Sequence, residues 1–405
     1  MNDIYIINEC TTASYYGIGR YISELIYSLH THFNFNIVSI YSKSTVRFKI
    51  EIINNLTYWH IPSPIVNVSF DNEQNRIDYY KIVVALLKLN IKKHKVPIIF
   101  HINYLHCSLP LVKLLKDNFN CKIVTTIHYM EWAFLYNGNI LLSKEIAKND
   151  KTLQKSIRSE RELIKLSDKV ISLTEDNLRV LSEIYDSTFD NICVVPNGIR
   201  DNINKEKSAL LRKKHFFSLN EKLILFAGRL DDIKGLHFLI ETFKILLKKH
   251  NHYHLLVVGG GEFDKYIKEI KEIAAKVTFT GVVEQKTLFE YMKMADLGVM
   301  PSLYEPFGFV AVEMLMHELP IVATSSLKSI LDDGINSKIV PIKYTANSLE
   351  IDVNLLAQAI EDILEDRLLS LKFSKLGRKK FEDKFQIKYF RDNMLKVYNS
   401  LINLN

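Results

Sequence analysis

Short apolar, β-branched runs alternate with longer amphipathic ones along nearly the whole of this chain. IYIIN (4–8), FNIVSIYS (35–42), PIIFHIN (97–103), KIVTTIH (122–128), KVISLT (169–174) and ICVVP (192–196) have the length and side-chain type of buried strands. RYISELIYSLHTHF and DYYKIVVALLKLNIKKH between them read as helices, and in the second the apolar positions recur three and four apart. Strand, helix and strand in succession make a parallel βαβ unit, whose sheet is covered by helices on both faces. The pattern breaks at VVPNGIRD (194–201), where Pro196, Asn197 and Gly198 are turn formers and a Lys-rich stretch follows. It restarts with KLILFAG (222–228), YHLLVVGGG (253–261), VTFTG (277–281), DLGVMPS (296–302), LPIVATS (319–325) and SKIVPI (337–342). The expectation is an α/β protein of two doubly wound, Rossmann-like parallel-sheet domains, residues 1–197 and 198–384. The tail is all-helical from about residue 353, and its last segment, 385–405, is helical.

With 405 residues, 47% of them hydrophobic and 24% charged, the chain can bury a full core in each domain. Fourteen Gly and nine Pro are too few for a disordered or fibrous protein. The formal charge of +7 is spread along the chain, with neither a concentrated basic face nor a nucleic-acid module, so nucleic acid is not an expected partner. Such an excess suits a phosphate-bearing substrate or peripheral contact with anionic lipid. The basic runs KLNIKKHK (88–95) and LRKKHFF (211–217) allow a membrane-surface acceptor, and ordinary solvated helix faces explain them at least as well. Cys10, Cys107, Cys121 and Cys193 match no zinc or redox spacing, so no metal is expected there. No signal-peptide pattern and no apolar run of about 18 residues is present. A cytoplasmic protein is expected, at most peripheral to the inner face of the membrane.

In doubly wound sheets, ligands bind outside the carboxyl ends of the strands, so the loops there carry the chemistry. GRLDDIKG places Arg229 and Lys234 five positions apart, across a turn that Gly228 and Gly235 can bend, with a helix starting at Gly235. Two cations beside a helix N-terminus suit a phosphate, and two surface cations beside Asp231 and Asp232 are the plainer alternative. The glycines of VVGGGEFDK, Gly260 among them, leave room for a ligand, but Asp264 stands where a dinucleotide fingerprint needs its last Gly. YEPFGFVAVE sets Glu305 before a helix starting near Phe307 or Gly308 and Glu313 in its second turn. Both acids can face a ligand docked on the helix start; a capping Glu305 with a solvated Glu313 is the structural alternative.

Glu305 and Glu313, with seven residues between them, resemble the E-x7-E motif of retaining family 4 glycosyltransferases of the GT-B fold. GRLDDIKG, VVGGGE, FTGVV, MPSLYEPFGFVAVEML and LPIVAT follow in that family's order, and VVPNGIR resembles its hinge entry. The resemblance implies two Rossmann-like domains facing across a cleft, the last helix crossing back to the first domain. It implies that Arg229 and Lys234 hold the diphosphate of a nucleotide-sugar and neutralise the leaving nucleoside diphosphate without metal, helped by the amides at Gly308 and Phe309 in the segment that begins at Phe307. Glu305 would bind donor-sugar hydroxyls, Glu313 the ribose, and backbone near Val282 and Val283 the base. SYYGIGRYI resembles the family's Gly-Gly loop, with Gly17 matching its second Gly and Tyr16 departing from the first. His128, after a strand, matches a His that lies near the sugar; Tyr129 and Met130 replace the Asp that usually follows.

The implied activity is metal-independent, configuration-retaining transfer from a nucleoside-diphosphate sugar, UDP first and GDP second. The acceptor is a polysaccharide, a lipid-linked sugar or a peptide. No cofactor is expected beyond the donor, and no catalytic base stands out. A glycosidase could also use two carboxylates, but the cationic neighbours argue for phosphate. A non-catalytic nucleotide-sugar- or glycan-binding protein would keep the fold and lose Arg229, Lys234 or Glu305. A nicotinamide-dependent oxidoreductase lacks its glycine fingerprint in NECTTASYYGIG.

Overall fold

The computed structural model describes residues 2–9, 17–42, 47–64, 72–92, 96–104, 107–185, 189–345 and 348–402. It falls into two compact units, one of Met1–Trp132, Lys144–Ile199 and Ile387–Asn405, the other of Ala133–Ser143 and Arg200–Gln386. The chain therefore leaves the first unit at Ile199, lends the second a short segment at 133–143, and ends in the first with the helix Ile387–Ile402. The Ile387 amide is fixed there by donating to the Ile199 carbonyl at 3.0 Å.

The first unit is built on β1 (Asn2–Glu9), β2 (Phe33–Ser42), β3 (Lys49–Ile53), β4 (Leu56–Pro62), β5 (Ile98–Ile102), β6 (Cys121–Ile127), β7 (Lys169–Ser172) and β8 (Ile192–Val194). Their order is β3-β4-β2-β1-β5-β6-β7-β8, every pairing parallel except β3 with β4. β1 and β5 bury Ile4, Ile6, Ile7, Ile99, Phe100 and Ile102 almost completely. This explains why they read as unbroken apolar runs: helices cover both faces of a parallel sheet. The helix Gly17–Leu29 presents Ile18, Tyr21, Ile22, Leu25 and Leu29 to the core at spacings of three and four. The alternating scheme missed the β3–β4 hairpin. Its two-residue turn holds Asn54 and Asn55 at φ 52° and 64°, the left-handed conformation that hairpin turns require and asparagine tolerates.

The second sheet contains β9 (Lys222–Ala227), β10 (Tyr253–Val258), β11 (Val277–Phe279), β12 (Leu297–Met300), β13 (Ile321–Thr324) and β14 (Ser337–Val340), all parallel, in the order β11-β10-β9-β12-β13-β14. Its strands match the expected runs, each ending one to three residues short of the end of the quoted segment. The helices Val353–Glu365 and Arg367–Lys380 are each started by an aspartate, Asp352 and Asp366, whose carboxylate accepts from two first-turn amides.

In each sheet one point separates strands added to the left from strands added to the right. That point lies between β1 and β5 in the first unit and between β9 and β12 in the second. Loops leaving the carboxyl ends of those strands open a crevice there.

Candidate active site

In the second unit the loops after β9, β10, β11 and β12 share one edge and are stitched together through the main chain. The Gly228 amide donates to the Val258 carbonyl at 3.0 Å, Leu230 to Gly260 at 2.9 Å, Gly259 to Gly281 at 2.9 Å and Leu303 to Ile233 at 2.8 Å. The last of these bonds joins the Arg229–Lys234 loop to the segment carrying Glu305.

After β9 the chain makes a single 3₁₀ turn, Asp232–Lys234, and then the helix Leu236–Leu247, one residue later than the sequence suggests. Gly235 lies between them at φ 67°, and a Cβ there would sit 2.0 Å from the Pro301 carbonyl oxygen, so only glycine lets the loop pass under the β12 segment. The consequence is a contact: the Lys234 ammonium donates to Glu305 Oε2 at 2.5 Å, both side chains mostly buried. Arg229 reaches Asp231 at 2.8 Å, and burial raises the Asp231 carboxyl above its ordinary range despite the two cations beside it.

Glu305 is bonded to Lys234 and, at 3.5 Å, to the Ser302 hydroxyl, not to helix amides. The helix runs Phe309–Met316 behind Gly308, which sits at φ 93°. Glu313 is only 5% exposed, and Gln285 Nε2 donates to its Oε1 at 3.2 Å. The capping-and-solvation alternative for the two glutamates therefore does not describe this structure. The Phe307 ring is buried against Phe309 and Phe385, so that residue can meet a ligand only through its backbone. Val282 is exposed, Val283 and Gly260 half-buried, all on the same loop edge. Sequence reasoning missed Gln285 and Ser302; a glutamine opening the helix Gln285–Met294 and a serine after a strand carry no pattern of their own.

In the first unit, Gly17 is the exposed first residue of its helix; Tyr16 and the rest of the loop before it lie outside the described residues. His128 directly follows β6. Its Nε2 meets Asn103 Oδ1 at 3.1 Å, and the Tyr21 ring stands edge-on to its imidazole, centroids 4.7 Å apart. Burial lowers the His128 pKa to about 3, so the ring is neutral at ordinary pH.

Other expectations meet different surroundings. In LRKKHFF, Arg212 is buried and bonded to Asp296 and to the carbonyls of Met294, Ser218 and Glu221, and Lys214 pairs with Glu290, so these two cations serve the unit's own packing. KLNIKKHK extends past the described residues. Among the described residues no helix is long and apolar enough to cross a membrane. His250, His252 and Glu365 are close enough to share a metal ion, but the two histidines lead into the start of β10, at the opposite edge of the sheet from the loops above, and Glu365 ends the helix Val353–Glu365.

Two family models match, "Glycosyltransferase Family 4" over residues 15–202 and "Glycosyl transferases group 1" over 207–380. The chain is 33% identical over 184 residues to mannosylfructose-phosphate synthase of Agrobacterium fabrum, 41% of this chain and 40% of that protein. It spans about half the length of the curated relatives it matches. Sucrose-phosphate synthase of Thermosynechococcus elongatus superposes with a TM-score of 0.77 at 19% identity, covering 100% of both chains. The Anabaena Alr3699/HepE protein in complex with UDP-glucose does so with a TM-score of 0.72 at 16% identity, covering 98% of this chain and 99% of that one. The fold is GT-B.

Proposed function

We propose that this chain, a member of the GT-B glycosyltransferase superfamily through the models matched on its two halves, transfers a sugar from a nucleoside-diphosphate sugar to a saccharide, lipid-linked or peptide acceptor. UDP is the first candidate nucleotide, and a structural neighbour was solved with UDP-glucose. The observation that carries the reading is the Lys234–Glu305 contact at the β9/β12 switch point. It sets a cation suited to a diphosphate against a carboxylate suited to sugar hydroxyls.

In this reading Arg229, Lys234 and the first amides of the helix Phe309–Met316 share the charge that builds on the departing diphosphate. Fixed cations and dipoles aimed at developing charge lower a barrier without reorganising, so no metal is required for that step. A phosphate oxygen reaching Lys234 shares the ammonium with Glu305, which couples phosphate binding to the placement of the sugar-binding carboxylate. Glu313, oriented by Gln285, accepts from the ribose diol; a carboxylate offers two acceptor oxygens for two adjacent hydroxyls. Backbone at Val282 and Val283 receives the base, and Gly260 leaves room beside it. Gly17 and His128 serve the acceptor side and the transferred sugar. Retention of configuration, with attack from the face the diphosphate leaves, completes the proposal.

The test is transfer measured with UDP-, GDP- and ADP-sugars, followed by NMR assignment of the product anomer. Arg229→Ala and Lys234→Ala should each lower kcat about 100-fold or more, with melting temperatures near that of the native protein. Native turnover in either variant contradicts the assignment.

A further inference from the structure

Behind His128 lies a buried polar chain that the proposed chemistry does not use. His101 on β5 is fully buried, and both of its ring nitrogens are engaged: Nδ1 with the Tyr398 hydroxyl at 2.6 Å and Nε2 with Thr126 Oγ1 at 2.7 Å. Thr126 in turn shares a proton with the Tyr21 hydroxyl at 3.0 Å. Tyr398 and Phe390 sit eight residues apart on the helix Ile387–Ile402, and the Phe390 ring packs edge-on against Tyr21, centroids 5.5 Å apart. Two routes then lead to His128. The Tyr21 ring forms one wall of its imidazole, and Asn103, whose Nδ2 donates to the His101 carbonyl at 3.4 Å, receives the His128 ring at Oδ1.

The chain has a direction. Burial lowers the His101 pKa to about 3, so its ring is neutral with one N–H and one lone pair. A phenol is a far better proton donor than a neutral imidazole, so the short contact at Nδ1 is Tyr398 O–H donating. Nε2 therefore carries the proton and donates to Thr126. On the other side, Asn103 Oδ1 can only accept, so His128 donates from Nε2 and keeps its lone pair on Nδ1.

From this we infer that Tyr398 is a positioning residue: the C-terminal helix, through His101, Thr126 and Tyr21, holds the His128 ring in place, while Asn103 sets its tautomer. This rests on the reading that His128 faces the transferred sugar. A neutral Nδ1 lone pair accepts a sugar hydroxyl without adding a charge of its own.

The test is Tyr398→Phe in the full chain, which removes one oxygen and keeps the ring. The expected result is a kcat lowered about tenfold by displacement of His128 and a KM for the donor within twofold of native. ¹⁵N NMR should show His101 losing its single Nε2–H tautomer. Thr126→Val should behave alike and Thr126→Ser should recover, which separates the hydroxyl from packing. Native kcat in both Tyr398→Phe and Thr126→Val, with His128→Ala inactive, overturns the positioning role. If His128→Ala keeps native activity, the reading of His128 itself fails instead.

Discussion

A carboxylate beside a lysine is common, so the Lys234–Glu305 pair gains its meaning from where it stands. Gly235 brings the Arg229–Lys234 loop beneath Pro301, and the Leu303 amide ties the two segments together, so the pair is placed by backbone, not by chance rotamers. Gly235→Ala should therefore destabilise the protein by more than the roughly 1 kcal/mol of a left-handed alanine, because its Cβ would also meet the Pro301 oxygen. The shift in urea midpoint measures it. Several of these residues were legible in the sequence as candidates: a basic pair flanked by two glycines, and an acid in an apolar helix, each beside a plainer structural alternative. Gln285 was not, because an amide side chain is at home on any helix surface and only the folded structure shows it reaching Glu313. The Phe307 ring, named as part of the donor segment, faces the core because aromatic burial outweighs proximity in sequence.

Among the elements, the parallel strands were readable because burial on both faces writes an unbroken apolar run. The β3–β4 hairpin escaped because β3 lies at a sheet edge, exposes Ile52 and breaks the alternation on which the reading relied. The helices Val353–Glu365 and Arg367–Lys380 owe their starts to aspartate caps. Asp366→Ala should cost about 1 kcal/mol, measured by urea unfolding, and leave donor KM unchanged, since its two bonds are to Leu368 and Leu369 amides. The Phe309–Met316 helix has no such cap; Gly308 at φ 93° precedes it, and a Cβ there would meet Leu327 at 2.5 Å. Gly308→Ala should move that helix start and raise the donor KM more than about tenfold, while a core far from the loop stays intact by circular dichroism.

For the molecule as a whole, two buried histidines set a limit on acid tolerance. His101 and His128 have pKa values lowered from 6.5 to about 3 by burial, so below about 6.5 the unfolded chain binds protons that the folded chain refuses. Stability is complete above that pH and is lost toward pH 3, at about 1.4 kcal/mol per pH unit for each ring while the unfolded form is charged and the folded form is not. Urea midpoints at pH 7, 6 and 5 should fall more steeply in the native protein than in His101→Asn. The two-sheet architecture was readable from alternation; the lending of Ala133–Ser143 to the second unit was not, since no composition change marks it. The central claim is that cations on the β9 loop grip a nucleoside diphosphate while Glu305 addresses its sugar. Calorimetric titration of UDP tests it most directly. Lys234→Ala should weaken UDP about 100-fold, whereas Glu305→Gln, which releases the lysine, should bind UDP at least as tightly as the native chain. UDP binding unchanged by Lys234→Ala would contradict the account.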